Sequence, residues 1–221
     1  MNQKFICKAL GCLSLSLLSC GVYASGFQLN ELSTAQQGST LAGAATAKND
    51  VSTMVVNPAT LASLKPGTSQ LYIGGSYIAP RISYSNATGS IGEYPRTGAI
   101  TSESSVGKSA FVPAFYIGKS ISDKTNFGLA LTVPWGMGTE YDANSALNVL
   151  AIESEIKSFD ITPTLSFQIN PKLSLGLNVH VLHIEGTLSD EIGGDSISLG
   201  TITGSGDGVG YGLGMHYQIN P

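Results

Sequence analysis

Apolar and polar residues alternate one by one along much of the chain after Thr68. The clearest stretch runs from Phe159 to Ile169, where apolar residues at odd positions are separated by Asp, Thr, Ser and Gln. Successive side chains of a β-strand point to opposite faces, so this pattern predicts a strand with one apolar and one polar face. The pattern recurs over 173–181, 211–219 and 126–133, and more weakly near 68–84 and 108–120. The alternation predicts an all-β, antiparallel fold of about six strands.

Three features favour a membrane barrel over a soluble β-sandwich, which would also alternate. The predicted strands are long enough for a tilted membrane span of about 9–11 residues. Aromatic residues lie near the strand ends, where interfacial girdles belong: Tyr84, Trp135, Tyr141, Phe159, Phe167, Tyr211 and Tyr217. Tight connections at 121–124 and 170–172 alternate with long ones at 85–107, 136–154 and 187–206. The sequence therefore predicts a transmembrane antiparallel β-barrel in the bacterial outer membrane.

Residues 1–24 have the features of a secretory signal peptide. Lys4 and Lys8 precede a short apolar stretch, and the small-x-small site ending at Ala24 predicts a mature chain that begins at Ser25. A loose resemblance to a lipoprotein box makes lipidation of Cys20 the alternative. All three cysteines lie in this segment, so we expect neither a disulfide framework nor a thiolate metal site in the mature chain.

Residues 25–67 lack strand alternation and predict a small N-terminal plug, or hatch, ahead of a barrel over 68–221. The stretch 33–47 consists mainly of small and polar residues, and Asn57-Pro58-Ala59 is a turn signal. The motif Phe-Gln-Ile-Asn-Pro at 167–171 precedes a predicted strand, and Tyr-Gln-Ile-Asn-Pro repeats it at 217–221. Because closed barrels have at least about 8 strands, we interpret 68–221 as the first part of a longer, truncated barrel.

Charge and hydropathy narrow the function classes. The formal net charge of −4 excludes an electrostatic nucleic-acid binder, which needs a basic surface. Mean hydropathy is only slightly positive, whereas a helical membrane protein would contain several apolar stretches of about 20 residues.

Several motifs, in order along the mature chain, resemble the FadL/TodX family of outer-membrane transporters for long-chain fatty acids and hydrocarbons. They are Ser25-Gly26-Phe27-Gln28-Leu29-Asn30-Glu31, Asn57-Pro58-Ala59, Val133-Pro134-Trp135-Gly136, Thr139-Glu140-Tyr141, Ile161–Ser166 and Leu173–Gly176. The resemblance implies a barrel of about fourteen strands with an N-terminal hatch. It further implies ligand capture outside, release by a hatch rearrangement and exit sideways through a gap in the wall. Such a channel needs no cofactor, and its partners are a hydrophobic ligand, outer-membrane lipid and lipopolysaccharide.

The resemblance also implies candidate site residues. Asn57, Pro58 and Ala59 are the hatch or gating candidates, because proline fixes φ and an Asn before it favours a tight bend; the alternative is an ordinary loop turn. Phe27 and Leu29 are candidate ligand contacts in the lumen, and a flexible tail is the alternative. Arg81 is the candidate partner of a ligand carboxylate, although a charge facing solvent or lipopolysaccharide is the simpler interpretation.

Two other function classes remain open from the sequence, an adhesin-like surface barrel and a barrel lipase. A lipase would need a serine nucleophile with a histidine base, and His180 and His216 fall on the polar face of their strands. No local motif pairs these histidines with a serine, and no carboxylate–histidine spacing suggests zinc. We therefore expect a transporter rather than an enzyme, with no catalytic or metal site.

Overall fold

The computed structural model describes residues 26–88, 90–91, 94–95, 99–147, 152–192 and 197–219. The predicted signal peptide, residues 1–24, lies outside these ranges, as does Ser25. The N-terminal part contains a short α-helix, Thr34–Gln37, and three 3-10 helices, Ala44–Thr46, Val51–Thr53 and Pro58–Ser63. No helix among the described residues is long and apolar enough to cross a membrane.

The rest of the described chain is built from antiparallel strands. They are β1 (Ser69–Ile78), β2 (Ser90–Ile91), β3 (Tyr94–Pro95), β4 (Ala110–Ser122), β5 (Thr125–Thr132), β6 (Gly136–Glu140), β7 (Glu153–Asn170), β8 (Leu173–Ile192) and β9 (Ile197–Tyr217). One seven-stranded sheet has the order β1-β4-β5-β7-β8-β9, with β6 also paired to β7. Strands β2 and β3 form a small separate hairpin. The predicted all-β, antiparallel fold is confirmed.

Over most of its height the sheet has an apolar outer face and a polar inner face. On β7, Phe159 and Ile161 are exposed, whereas Asp160 and Thr162 next to them are buried under the rest of the chain. The pattern continues to β9, where Tyr211 is 83% exposed. Monomeric soluble proteins rarely expose a continuous apolar face of this kind, whereas the lipid-facing wall of a barrel requires one.

The height of the apolar outer face matches a membrane. On β7 it runs from Phe159 to Ile169. At about 3.4 Å per residue this stretch is about 34 Å long, and a strand tilt of about 40° reduces its height to about 26 Å. The apolar band of outer-membrane barrels is about 25 Å tall. We call this outer surface the apolar belt. The end of the sheet that carries the tight turns β4–β5 and β7–β8 is called the turn end, and the opposite end is called the loop end.

The two faces exchange polarity above the apolar belt, toward the loop end. On the outer face of β8, Val181 is followed by His183 and Glu185, which are polar. On the inner face, apolar side chains appear instead, among them Leu188, which pairs with Ile202 of β9. The hairpin β8–β9 keeps one register from Leu173 to Asp190, so the exchange reflects the sequence and not a slip of the strands.

Two sequence predictions need correction. The predicted loop 187–206 is wrong, because β8 continues to Ile192 and β9 begins at Ile197. The prediction assumed that a strand ends where apolar residues cease to face outward, whereas here the strands continue with their faces exchanged. The predicted loop 136–154 likewise contains β6, which raises the sheet from the six predicted strands to seven.

The apolar belt predicts a depth-dependent response to charge. We expect Leu177→Arg, in the middle of the belt on β8, to lower the free energy of unfolding by about 2–4 kcal/mol. Thr187→Arg, on the outer face of the same strand above the belt, should lower it by no more than about 1 kcal/mol. Urea unfolding of the protein in lipid vesicles measures both values. Equal losses for the two variants would show that Leu177 does not face lipid.

Candidate functional site: the hatch seat and the window in the wall

The N-terminal segment, residues 26–67, packs on the inner face of the sheet. Its apolar residues Val51, Met54, Leu61 and Leu64 form one buried cluster with Ala114 and Tyr116 of β4 and Ala130 of β5. Its short helices begin at capping residues, since the side chain of Ser33 accepts from the Gln36 amide and that of Asp50 from the Ser52 amide. The wall offers small inner residues here, and the segment supplies the larger apolar groups.

Asn57 connects two parts of the segment to the wall. Its Oδ1 accepts from the amide of Ala59 at 3.1 Å, which caps the 3-10 helix that starts at Pro58. Its Nδ2 donates to the carbonyl of Ala45 at 2.7 Å and to the carbonyl of Met215 on β9 at 3.2 Å. The side chain therefore connects its own turn, the 3-10 helix Ala44–Thr46 and the sheet.

A pair of glycines on the wall receives this turn, and we call it the glycine seat. Gly176 of β8 and Gly214 of β9 are cross-strand partners. A Cβ at Gly176 would lie under 3.0 Å from backbone atoms of Pro58 and Ala59, and one at Gly214 would meet Asn57 and the ring of Pro58 equally closely. Because the obstacle at Gly176 is backbone, a side chain there would displace the turn.

The wall is interrupted between β5 and β6. Both strands pair with β7, Thr132 with Asp160 and Gly136 with Lys157, so the break contains one residue more than its partner. Trp135 is held in the break by Ser158, whose Oγ accepts from the Trp135 amide at 3.0 Å and donates to the Trp135 carbonyl at 2.7 Å. The break is thus a β-bulge with a dedicated side-chain clamp.

Phe27 and Leu29, near the start of the N-terminal segment, supply backbone hydrogen bonds that the break lacks. The Leu29 amide donates to the carbonyl of Pro134 at 2.9 Å, and the Gly136 amide donates to the carbonyl of Phe27 at 3.1 Å. Phe27–Leu29 therefore lies beside Pro134–Gly136 like a short additional strand. In a lipid environment this pairing matters, because each backbone group left without a partner costs several kcal/mol.

A gap in strand pairing adjoins the break. Strand β4 pairs with β5 only from Phe115 toward the turn end, and its residues Ala110–Ala114 pair with β1 alone. Beyond the gap, the wall closes again where the Lys108 amide donates to the Gly138 carbonyl at 2.9 Å. We call this opening the window. It holds a cavity of about 340 Å³ whose lining includes Leu29, Ile78, Phe111, Val133 and Trp135.

An ion pair fastens the closure above the window. The ammonium of Lys108 contacts the carboxylate of Glu153 and lies 3.7 Å from that of Glu155. The hydrogen bond to Glu153 raises the pKa of Lys108, against a smaller opposing effect of burial. Lys108 therefore stays charged at neutral and alkaline pH. Its ion pair then continues to connect the residues just before β4 to β7.

A second cavity, of about 450 Å³, lies on the inner face above the apolar belt, and we call it the inner cavity. Its walls include the inward apolar residues created by the exchange of polarity, Met137, Ile156, Leu188 and Ile202, and Phe27 from the N-terminal segment. Polar residues complete the lining, among them Thr139, Ser154 and Glu155. Met137 and Ile156 also line the window cavity, so the two spaces are neighbours. A cavity of this size and lining suits a hydrophobic small molecule.

The structure brings five of the six predicted site residues to these features. Asn57, Pro58 and Ala59 lie on the glycine seat, Phe27 lines the inner cavity and Leu29 lines the window cavity. Their roles in gating and ligand binding stay predictions. Arg81 is exposed and is not among the residues that line the inner cavity or the window cavity, although its neighbours Pro80 and Ile82 line the window cavity.

Sequence reasoning missed the partner of His180. The imidazole Nδ1 lies 2.6 Å from Oδ2 of Asp160, which is 5% exposed. Both residues belong to the polar sets of adjacent strands, and that was the available signal. The pairing itself depends on the register between β7 and β8, where Asp160 is opposite Leu182.

The glycine seat predicts that Gly176→Ala displaces the Asn57-Pro58-Ala59 turn without breaking the barrel wall. Overpacking of this kind costs about 1–3 kcal/mol, enough to raise the population of the displaced state by roughly tenfold or more. The mature chain has no native cysteine, so Ala62→Cys reports the displacement through its reaction rate with a water-soluble maleimide.

Gly206→Ala is the matched control, because it adds the same atom to the inner face of the neighbouring strand β9, where a Cβ would have nothing within 4 Å. We expect faster labelling of Ala62→Cys with Gly176→Ala and an unchanged rate with Gly206→Ala. Equal rates in both backgrounds would mean that the seat does not position the turn.

Comparison with known proteins identifies the family to which this architecture belongs. Residues 15–221 match the family described as Outer membrane protein transport protein (OMPP1/FadL/TodX). Outer membrane protein P1 of Haemophilus influenzae is 29% identical over 212 residues, which cover 91% of this chain and 45% of that protein. The Long-chain fatty acid transport protein of Escherichia coli is 23% identical over 184 residues, covering 83% of this chain and 40% of that protein.

Among solved structures, a FadL homologue of Pseudomonas aeruginosa superposes with a TM-score of 0.66 at 22% identity, over 89% of this chain and 50% of that one. The chain thus spans about half the length of the proteins that it matches, and the structural likeness shows the shared fold. It belongs to the OMPP1/FadL/TodX family of bacterial outer-membrane transport proteins.

Proposed function

We propose that the chain forms part of an outer-membrane channel for uptake of hydrophobic small molecules, most of all long-chain fatty acids, by passive ligand-gated diffusion. The observation that carries this proposal is an apolar inner cavity placed directly beside a window that the chain terminus fills. The name of the Escherichia coli relative, a long-chain fatty acid transport protein, supports the ligand class. Residues 1–24 would be its signal peptide, 25–67 its hatch and 68–221 part of its barrel.

Ligand capture follows from the exchange of polarity above the apolar belt. The inner cavity lies beyond the membrane-facing part of the wall, so an apolar chain can leave water there before it reaches lipid. The apolar part of its lining favours hydrocarbon chains but discriminates poorly between their lengths. Arg81, next to two residues of the window cavity, is the proposed partner of the carboxylate.

Gating follows from the contacts of the chain terminus. Phe27 lines the inner cavity, and its carbonyl accepts from Gly136 at the wall break, so a ligand that takes the place of the Phe27 ring also disturbs this pairing. The segment is held at its other end by Asn57 on the glycine seat. We propose that ligand binding shifts the segment between these two attachments and that the ligand then leaves sideways through the window into the membrane.

The alternatives receive less support. A lipase needs a serine nucleophile at its histidine, and the side-chain partners of His180 are Asp160 and Thr162. An adhesin would not require an apolar cavity inside the wall. Lipopolysaccharide and outer-membrane lipid are the proposed surroundings of the outer face, where Lys157 and Glu155 follow the apolar belt.

The gating proposal predicts that Asn57→Ala with Pro58→Ala impairs uptake more than assembly. The segment is not part of the wall, so strand pairing should survive, while the loss of the fixed turn changes the closed state by about 1 kcal/mol or more. Labelled oleate uptake is measured in the same cells as folded barrel, quantified by heat-modifiable mobility. Uptake per folded barrel should fall several-fold.

Pro66→Ala is the control, an exposed proline in the same segment that lies off the glycine seat. Unchanged uptake per folded barrel in the double variant would assign Asn57-Pro58-Ala59 to an ordinary turn. If the native protein itself gives no more oleate uptake than cells without it, the proposed function is wrong.

A further inference from the structure

We infer that Asp160 and His180 form a proton-donating dyad beside the window, which neutralises the carboxylate of a departing fatty acid. The inference rests on the proposed function, because it concerns the step at which the ligand leaves the inside of the wall for the membrane. It adds a chemical requirement for that step and assigns it to two residues of the inner face.

The geometry of the dyad is well defined. Oδ2 of Asp160 lies 2.6 Å from Nδ1 of His180 and accepts from the hydroxyl of Thr162 at 2.9 Å. This arrangement holds the hydrogen on Nδ1, so Nε2 is the nitrogen that exchanges a proton with a ligand. Among the described residues Nε2 has no hydrogen-bond partner, and the His180 side chain is 31% exposed.

The dyad faces a cavity that leads toward the window. The cavity measures about 390 Å³, and its lining includes Trp135, Asp160, His180 and Leu182. Trp135 also lines the window cavity, so this residue is common to the cavity at the dyad and to the proposed exit. A ligand passing Trp135 on its way out therefore passes the dyad.

Neighbouring elements offer the dyad little competing charge. Strand β5 contributes Thr132, and β9 contributes Gly208, Val209, Gly210 and the phenol of Tyr211. Strand β4 contributes Tyr116, whose hydroxyl donates to the Leu32 carbonyl. Asp50 of the N-terminal segment accepts from Gln36 and Ser52. His216 lies on the same face of β9 but lines a different cavity, at the turn end. The dyad is thus an ionisable pair on a membrane-spanning wall, which is a functional position by default.

The exit step requires such a group, because an isolated carboxylate is strongly disfavoured in hydrocarbon whereas the neutral acid is not. The imidazolium gives the proton on Nε2 to a carboxylate oxygen of the ligand, forming an O–H bond as the N–H bond breaks. Neutral imidazole remains hydrogen-bonded to Asp160, which stays a carboxylate throughout. The neutral acid leaves through the window, and water inside the barrel returns a proton to Nε2.

The test compares two ligands with the same hydrocarbon chain, oleate and oleyl alcohol, in outer-membrane vesicles containing equal amounts of folded barrel. His180→Gln should lower oleate uptake several-fold and leave oleyl alcohol uptake unchanged, since the alcohol carries no charge. His216→Gln, a histidine on the same inner face, is the matched control and should alter neither.

The pH profile separates proton donation from a merely structural role. Without the donor, only acid that is already neutral can leave, so oleate uptake by His180→Gln should fall about tenfold per pH unit, more steeply than in the native protein. Asp160→Asn, which keeps the shape of the side chain, should reproduce the loss for oleate alone. In the native protein the ratio of oleate to oleyl alcohol uptake should fall less steeply with pH than the neutral fraction of oleate does.

Parallel losses of both ligands in His180→Gln would overturn the inference, as would an unchanged oleate profile. If neither variant assembles, the native ratio of oleate to oleyl alcohol uptake decides. A fall with pH in step with the neutral fraction of oleate overturns the inference, and a shallower fall supports it. If the native protein admits neither ligand, the proposed function fails instead, and this result is distinct from the others.

Discussion

The constraint on which the rest of this structure depends is that backbone groups in hydrocarbon must find partners within the protein. It requires continuous strand pairing and an apolar outer face, as seen from Phe159 to Ile169 on β7. It also leaves the inner face to small and polar residues, among them Thr162 and Asn178. The N-terminal segment must therefore pack on a wall that offers few apolar groups, and glycine provides the close approach that Asn57 and Pro58 need.

The same constraint explains why the break between β5 and β6 needs hydrogen-bond partners from elsewhere in the protein. Between β5 and β6 the wall lacks regular pairing, and the protein meets this deficit with the Ser158 clamp and with the backbone of Phe27 and Leu29. The position at which the wall is interrupted is thus the one that the N-terminal segment covers. In the proposed mechanism this arrangement couples ligand capture to lateral release.

Much of this fold was predictable from the sequence, because period-two alternation is a local property. It identified the membrane part of β7, β8 and β9, and the tight turns at the turn end. It failed above the apolar belt, where apolar residues such as Leu188 face inward and the same alternation has the opposite meaning. The position of Asn57-Pro58-Ala59 against the wall followed from resemblance and not from local pattern.

The glycine seat and the dyad were beyond sequence reasoning because both are set by register. Gly176 and Gly214 are 38 residues apart in number but opposite each other in the β8–β9 ladder. Asp160 and His180 meet only because β7 and β8 pair as they do. One sequence shows that these residues belong to inner faces, whereas their proximity depends on which residues the turns place opposite one another.

The central claim is that a hydrophobic ligand occupies the inner cavity and leaves by the window beside it. Its most direct test is photolabelling with a fatty acid that carries a diazirine at its methyl end, followed by mass spectrometry of the labelled peptides. The account predicts labels on the inner cavity residues Leu188 and Ile202 and on the window residues Phe111 and Val133. Labels confined to the turn end, around Gln168 and His216, would contradict it by showing a path straight through the barrel.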